Sequence, residues 1–179
     1  STFLESEKYV KYKEGLFVGY RYFEDDENKQ SQVVFPFGHG LSYTEFTLDN
    51  NVIFDSGNFN ITSIVTNVGN RPGKQVVQVY IKKPQNENFI KVEKELIAFS
   101  KTKELKPGES QALNMKISLN DLASYDDAGV TGNRACYIIE KGIYEIYIGD
   151  SIASIRNKSN LVYSYNHKEL TISKKLTNR

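Results

Sequence analysis

From residue 46 onward the chain is a ladder of short apolar runs, most of them alternating, each cut off by turn-forming residues. This pattern limits the fold more than any other feature, because side chains on a strand point to opposite faces with a period of two. Phe46 to Phe54 reads as one strand. Phe59 to Val65 reads as a second, with Phe59, Ile61, Ser63 and Val65 on one face. Gln75 to Lys82, rich in Val, Tyr and Ile, reads as a buried strand, and Glu93 to Phe99 as a shorter one. In Ser110 to Leu119 the residues Leu113, Met115, Ile117 and Leu119 lie opposite Ala112, Asn114, Lys116 and Ser118. Asn120 is placed to cap one helical turn over Asp121, Leu122 and Ala123. Ala135 to Glu140 and Ile143 to Ile148 read as the arms of a hairpin through Lys141-Gly142, and Leu161 to Ile172 as one last strand. Turns are marked by Asn67 to Gly73 and by Lys106-Pro107-Gly108-Glu109. Seven or more short strands divided in this way predict an all-β, antiparallel sandwich.

Residues 1 to about 40 follow a different pattern. Tyr9, Val10, Tyr12, Leu16, Phe17, Val18, Tyr20, Tyr22 and Phe23 form a dense aromatic segment, with few turn signals before Asp25-Asp26-Glu27-Asn28. So much apolar surface in a short piece calls for a partner surface. Phe35-Pro36-Phe37-Gly38-His39-Gly40 then forces a loop. The 179 residues suit one domain plus a short appended segment. With 23 basic and 22 acidic residues, the net charge of +1 gives no field to attract nucleic acid or anionic lipid. Lys168, Lys174 and Lys175 read as a solvated strand end. No run approaches a membrane-spanning length. The start, Ser1-Thr2-Phe3-Leu4-Glu5, lacks a basic stretch followed by an apolar one, so no signal peptide is expected. It also lacks Met, so the chain is expected to be cut from something longer.

Side chains that could carry chemistry are sparse. The two histidines, His39 and His167, are far apart and in no ligand spacing, and the single cysteine, Cys136, has no cysteine partner. A structural zinc site is not expected. His39 reads as a loop histidine bonding a backbone carbonyl, and Cys136 as a small buried hydrophobe in an apolar strand. The glycine clusters at residues 37–40 and 68–73 match no phosphate-binding pattern and read as turns. Glycoside hydrolysis needs two carboxylates flanking one bond. Asp25-Asp26-Glu27 and Asp126-Asp127 are sequence neighbours in turn-like contexts and read as solvated loop acids. The sequons Asn60-Ile61-Thr62 and Asn157-Lys158-Ser159 carry little weight, the first lying inside a strand.

Specific wording adds a resemblance. Glu14 to Phe23 resembles the end of the α/β domain of glycoside hydrolase family 3, and Phe35 to Thr44, reading FPFGHGLSYT, its passage toward the C-terminal domain. Val65 to Gly73, followed by Val76-Val77-Gln78-Val79-Tyr80, is similar to the opening of the family's fibronectin type III-like domain. Lys94-Glu95-Leu96, Leu105 to Glu109, Asp121 to Asp126 and Gly142 to Gly149 follow in the family's order. The chain departs from the pattern at Ala135-Cys136-Tyr137, where many relatives place a Trp, and residues 126–132 look like a subgroup variant of bacterial β-glucosidases.

The resemblance implies an immunoglobulin/fibronectin type III-like antiparallel β-sandwich over residues 45–179. Residues 1–44 would be the C-terminal tail of the α/β domain and a linker. It implies the non-catalytic C-terminal part of a β-glucosidase, acting on terminal β-D-glucosidic bonds with retention through an Asp nucleophile and a Glu acid/base. No residue here matches either motif. Catalytic, cofactor-binding and metal-binding residues are therefore none, and no cofactor is expected. The alternative is a stand-alone fibronectin-like module binding carbohydrate or protein, which the absence of Trp disfavours mildly as a stacking platform. Expected partners are the remaining domains of the parent glycosidase, with β-glucoside substrate met only through them. Nucleic acid and membrane are not expected. The first forty residues should pack on the sandwich or on a second copy of the chain, as a homodimer. Tyr125 is expected to point inward with its hydroxyl on backbone, as corner tyrosines of such sandwiches do. The compartment stays open, with the bacterial cytoplasm favoured.

Overall fold

The computed structural model describes residues 15–156 and 160–176. Two four-residue helices open it, α1 (Tyr20–Phe23) and α2 (Glu27–Gln30). Ten strands follow: β1 (Phe46–Asp55), β2 (Asn58–Asn67), β3 (Val76–Lys82), β4 (Glu95–Lys101), β5 (Ser110–Ser118), β6 (Ser124–Asp126), β7 (Cys136–Ile139), β8 (Gly142–Gly149), β9 (Leu161–His167) and β10 (Thr171–Lys175). They form a three-stranded sheet β1-β2-β5, a four-stranded sheet β4-β3-β8-β9 and a small sheet β10-β7-β6. The strand pairs are all antiparallel.

The first two sheets enclose the main core. Phe59, Ile61 and Val65 of β2 alternate inward toward Val77, Val79 and Ile81 of β3 and Tyr144, Ile146 and Ile148 of β8. Phe59 meets Tyr165 of β9 edge-on at 5.3 Å. The faces read from sequence for β2 and β5 are the faces observed, because both strands are covered on one side only. β3 breaks the alternation. Val77 through Ile81 are all buried. Val77, Val79 and Ile81 enter the main core, whereas Tyr80, on the opposite face, joins a second cluster with Tyr147, Ile152 and Ile155. The four-stranded sheet is thus covered on both faces, by the first sheet and by the N-terminal segment.

Four local expectations are corrected. Lys141-Gly142 does not close a hairpin. Hairpin turns of types I′ and II′ need positive φ at the first central residue, and here only the second, Gly142 at φ 144°, is positive. The chain instead crosses between sheets, β7 pairing with β6 and β10, β8 with β3 and β9. The crossing runs so close to Pro84 that a Cβ on Gly142 would lie 2.7 Å from its ring. Second, Leu161 to Ile172 is two strands in two sheets, β9 and β10, divided at Lys168-Glu169-Leu170. Third, the helical turn is 3-10, Leu119–Leu122, and its cap is Ser118. The Ser118 side chain accepts from Asn120 N, while Asp121 reaches back to the Ser118 N–H at 2.8 Å.

Fourth, Tyr125 does not point inward. Register pairs it with Tyr137 across the small sheet, the rings lying 5.1 Å apart on the solvent side, and Tyr125 is 42% exposed. The alternating residue that goes inward is Asp126. The tyrosine with a backbone-bonded hydroxyl is Tyr144, which donates to Glu140 O at 3.2 Å and accepts from Glu140 N at 3.0 Å. Burial pushes its pKa up, so the phenol stays protonated. Tyr144→Phe should cost about 1–2 kcal/mol in urea unfolding, since two buried backbone groups lose a partner. Tyr125→Phe should leave the midpoint unchanged. An equal loss in both variants would contradict this assignment.

Candidate functional site

The outer face of the four-stranded sheet is where the N-terminal segment meets the sandwich. Gly19 at φ 61° starts α1 and sets Tyr20 over the sheet. The Tyr20 ring stacks on Phe37 at 4.7 Å and meets Tyr80 edge-on at 6.1 Å. Its hydroxyl accepts from Leu96 N at 2.8 Å, beside the point where the β3–β4 register shifts. A ladder irregularity leaves backbone groups in need of partners, and the phenol supplies one. One turn along, Glu24 is buried, and both its oxygens accept from Arg156, at 2.7 to 3.3 Å. A buried carboxylate needs such a charge-assisted pair. Ile152 N donates to Phe37 O at 2.9 Å and Gln78 Nε2 to Asp150 O at 2.8 Å, tying the 150–156 turn into the same face. Tyr80 donates its hydroxyl to Gln78 Oε1, and burial, then Tyr20 and Glu24, push its pKa up, which keeps it a donor.

The described part of this segment, from residue 15 on, is therefore anchored on the sandwich through Tyr20 and Glu24, with Phe17 and Phe23 half-buried. Leu16, Val18, Tyr22, Val34 and Phe35 remain exposed, and Leu41 and Tyr43 are 95% and 92% exposed. Tyr9, Val10 and Tyr12 lie outside the described residues.

Beside the anchor is a cleft of about 520 Å³ between the β3–β4 connection, residues 83–94, and the loop after β6. Buried charges hold both walls. Lys91 pairs with Glu140 and donates to Pro84 O at 2.9 Å and Phe89 O at 3.3 Å. Asp126 accepts from Gly129 N, Val130 N and Thr131 N at 2.7 to 3.0 Å and from the Thr131 hydroxyl at 2.7 Å. The expectation of a solvated Asp126 is thus overturned. Desolvation pushes its pKa up, but the bonds from Thr131, Val130 and Gly129 outweigh it and hold the carboxyl below the usual aspartate range.

The other residues singled out from sequence are scattered. Asp25 pairs with Lys29 at 3.0 Å and Asp26 caps α2, both locally. Among the described residues the His39 ring bonds no carbonyl. The His39 backbone N–H donates to Pro36 O and the ring lies 5.2 Å from Phe35. His167 is buried between Tyr165 and Thr171, whose hydroxyls lie 3.3 and 3.0 Å from its nitrogens. Cys136 is buried, its thiol toward Arg134 O. Asn60 is exposed on β2, and the second sequon lies outside the described residues. Among the described residues no three His, Cys, Asp or Glu side chains gather as a metal site. No described helix is long and apolar enough to cross a membrane. The Glu24–Arg156 and Lys91–Glu140 pairs were not read from sequence, because nothing local joins residues so far apart.

Residues 75–152, from the start of β3 to just past β8, match the fibronectin type III-like domain. β-Glucosidase A of Butyrivibrio fibrisolvens is 36% identical over 99% of this chain and 23% of its own length. A β-glucosidase of Ruminococcus albus is 43% identical over 81% of this chain and 15% of its own. The solved β-glucosidase of Paenibacillus barengoltzii superposes with a TM-score of 0.85 at 36% identity, over 98% of this chain and 19% of that one. The chain carries a fibronectin type III-like domain and is similar to part of family 3 β-glucosidases. It spans less than a quarter of the length of these relatives. The fibronectin type III order is visible in the two main sheets, β1-β2-β5 against β4-β3-β8-β9, with β6, β7 and β10 added as the small sheet.

Two outcomes follow for this domain. A folded-state pKa below the unfolded one means that Asp126 stabilises fully above the ordinary aspartate value, and that this contribution is lost as pH falls through the folded value. Asp126→Asn should therefore lower the unfolding midpoint at pH 7, and the gap to the parent chain should narrow below about pH 4. A gap constant from pH 7 to pH 2 would refute the role. Tyr20→Ala should cost about 2 kcal/mol and speed amide exchange at Leu96. Unchanged protection there would show that the segment is not anchored through Tyr20.

Proposed function

We propose that this chain is the non-catalytic C-terminal part of a β-glucosidase that hydrolyses terminal β-D-glucosidic bonds in glucosides and oligosaccharides. Residues 1–44 are then the tail of the family's α/β domain and its linker, and residues 45–179 the sandwich that buttresses the catalytic domains. The asymmetry of coverage carries this reading: nearly the whole chain is matched, by less than a quarter of each relative. A stand-alone module gains no support from relatives of that kind. The contacts of half-buried Tyr20 and buried Glu24 suit a buttress, since they fix the segment to the sandwich instead of leaving a flexible tether. The exposed Leu16, Val18, Tyr22, Val34, Phe35, Leu41 and Tyr43 suit a face that the remaining domains cover.

The isolated chain should release no phenol from an aryl β-glucoside above a buffer blank, in a preparation free of host glycosidase. The chain rejoined to its missing domains should do so. Any self-association of the isolated chain through residues 15–44 should vanish on rejoining. Turnover by the isolated chain would refute the non-catalytic assignment. Full activity and an unchanged thermal midpoint after deletion of residues 45–179 from the complete enzyme would refute the buttress.

A further inference from the structure

We propose that the cleft between residues 83–94 and the Asp126 loop binds a neutral pyranose chain, a β-linked gluco-oligosaccharide. The choice of glucosyl unit rests on the parent enzyme proposed above; the cleft and its neutral, ring-shaped ligand do not.

The argument begins with charge. Three cations line the cleft, Arg21, Lys83 and Lys91, and three carboxylates balance them, Glu95, Glu140 and Asp127. Arg21 and Lys83 both reach Glu95, at 3.4 and 3.1 Å, and Lys91 pairs with Glu140. With no net charge in excess, the cleft has no field that selects an anionic ligand. What remains open is of mixed character: the exposed Asn88 amide and Asp127 carboxylate, with Phe89, Ile90 and Tyr125 as apolar surface. A pyranose suits such a surface, because its C–H face packs on an aromatic ring while its hydroxyl edge bonds amides and carboxylates. The volume of about 520 Å³ lies within the range of small-molecule sites.

Tyr125, the tyrosine of the cleft wall, serves no core. Tyr125 and Tyr137 pair across β6 and β7 on the outside of the small sheet, 42% and 38% exposed. Both flanking loops are stiffened beforehand, by Lys91 inside the 83–94 connection and by Asp126 inside residues 129–131. The Asp126 loop ends on Ala135 at φ 58°, a left-handed conformation costly for any residue but glycine. Buried charges and backbone strain held in surface loops are characteristic of a preorganised binding site, since rigid loops lose less entropy when a ligand arrives.

The test is a titration of the isotope-labelled 179-residue chain with cellotetraose, followed by amide NMR. Saturable shifts should appear at residues 88–92 and 124–131, with a millimolar or tighter dissociation constant. Tyr125→Ala should weaken binding roughly tenfold with the remaining amide spectrum retained. Phe99→Ala, which removes an exposed aromatic outside the cleft, should change nothing. Should Tyr125→Ala misfold, Asn88→Ala on the exposed turn asks the same question and should also weaken binding. Absence of saturable shifts in the cleft, shifts centred on Phe99, or undiminished binding by the folded Tyr125 or Asn88 variant would overturn the site. Cellotetraose binding without β-glucosidase activity in the rejoined chain would sink the parent-enzyme reading alone. Activity without cleft shifts would sink the cleft alone.

Discussion

Asn67 is the point on which the sandwich is hung. It has no exposed surface, and its side chain satisfies four groups from separate stretches of chain. Its Oδ1 accepts from the Thr44 hydroxyl at 2.7 Å and from Gly69 N at 3.1 Å, and its Nδ2 donates to Arg71 O and Leu105 O at 2.8 Å each. Its backbone adds bonds from Asn67 N to Glu109 O and from Gly108 N to Asn67 O. One residue therefore joins the end of the linker, the β2–β3 turn and the β4–β5 connection. Each buried group left unpaired would cost about 1–3 kcal/mol, so the network tolerates no substitute that lacks both donors and acceptor. Gly69 belongs to the same arrangement, since a Cβ there would run into the Thr44 hydroxyl. Val65 to Gly73 carries much of the family resemblance, and this network gives that wording a physical reason.

A second constraint is the two-sided burial of the four-stranded sheet. A sandwich sheet ordinarily shows water one face. Here the outer face holds Tyr80 and Tyr147, with Lys94 set 5.1 Å over the Tyr147 ring, its pKa lowered chiefly by burial. Tyr20, Glu24 and the turn through Ile152 and Ile155 close over this face. The sheet is thus covered by a further layer at its middle, in which the N-terminal segment and the 150–156 turn meet.

How much of this could be read from the residues depended on whether the controlling contact was local. The period of two gave the inward faces of β2 and β5 correctly, because each has one wet side. It also marked Gln75 to Lys82 as buried, without showing that the covering layer would be Tyr20 and its neighbours. It failed at β7, where Ile138 and Ile139 are buried in succession and the pairing partner is Ser124–Asp126 rather than the strand that follows. The one-residue choice between Tyr125 and Asp126 was set by the register with β7, which no local pattern encodes. Of the cleft, only the polar loop composition was legible. The pairs that stiffen it, Lys91 with Glu140 and Asp126 with its own loop, depend on burial that sequence does not announce.

The closure of Glu24 on Arg156 spans 132 positions, and that of Tyr20 on Leu96 spans 76. During synthesis the N-terminal partners leave the ribosome first and must wait for their receptors. At ordinary elongation rates of about 5–20 residues per second, Glu24 waits on the order of ten seconds before Arg156 exists. Through that interval Tyr20, Phe37 and the buried-to-be carboxylate face water or whatever else is near. The N-terminal segment accordingly cannot be fully laid down before residue 156 has been made, and the nascent chain must keep its most aromatic stretch from straying until then.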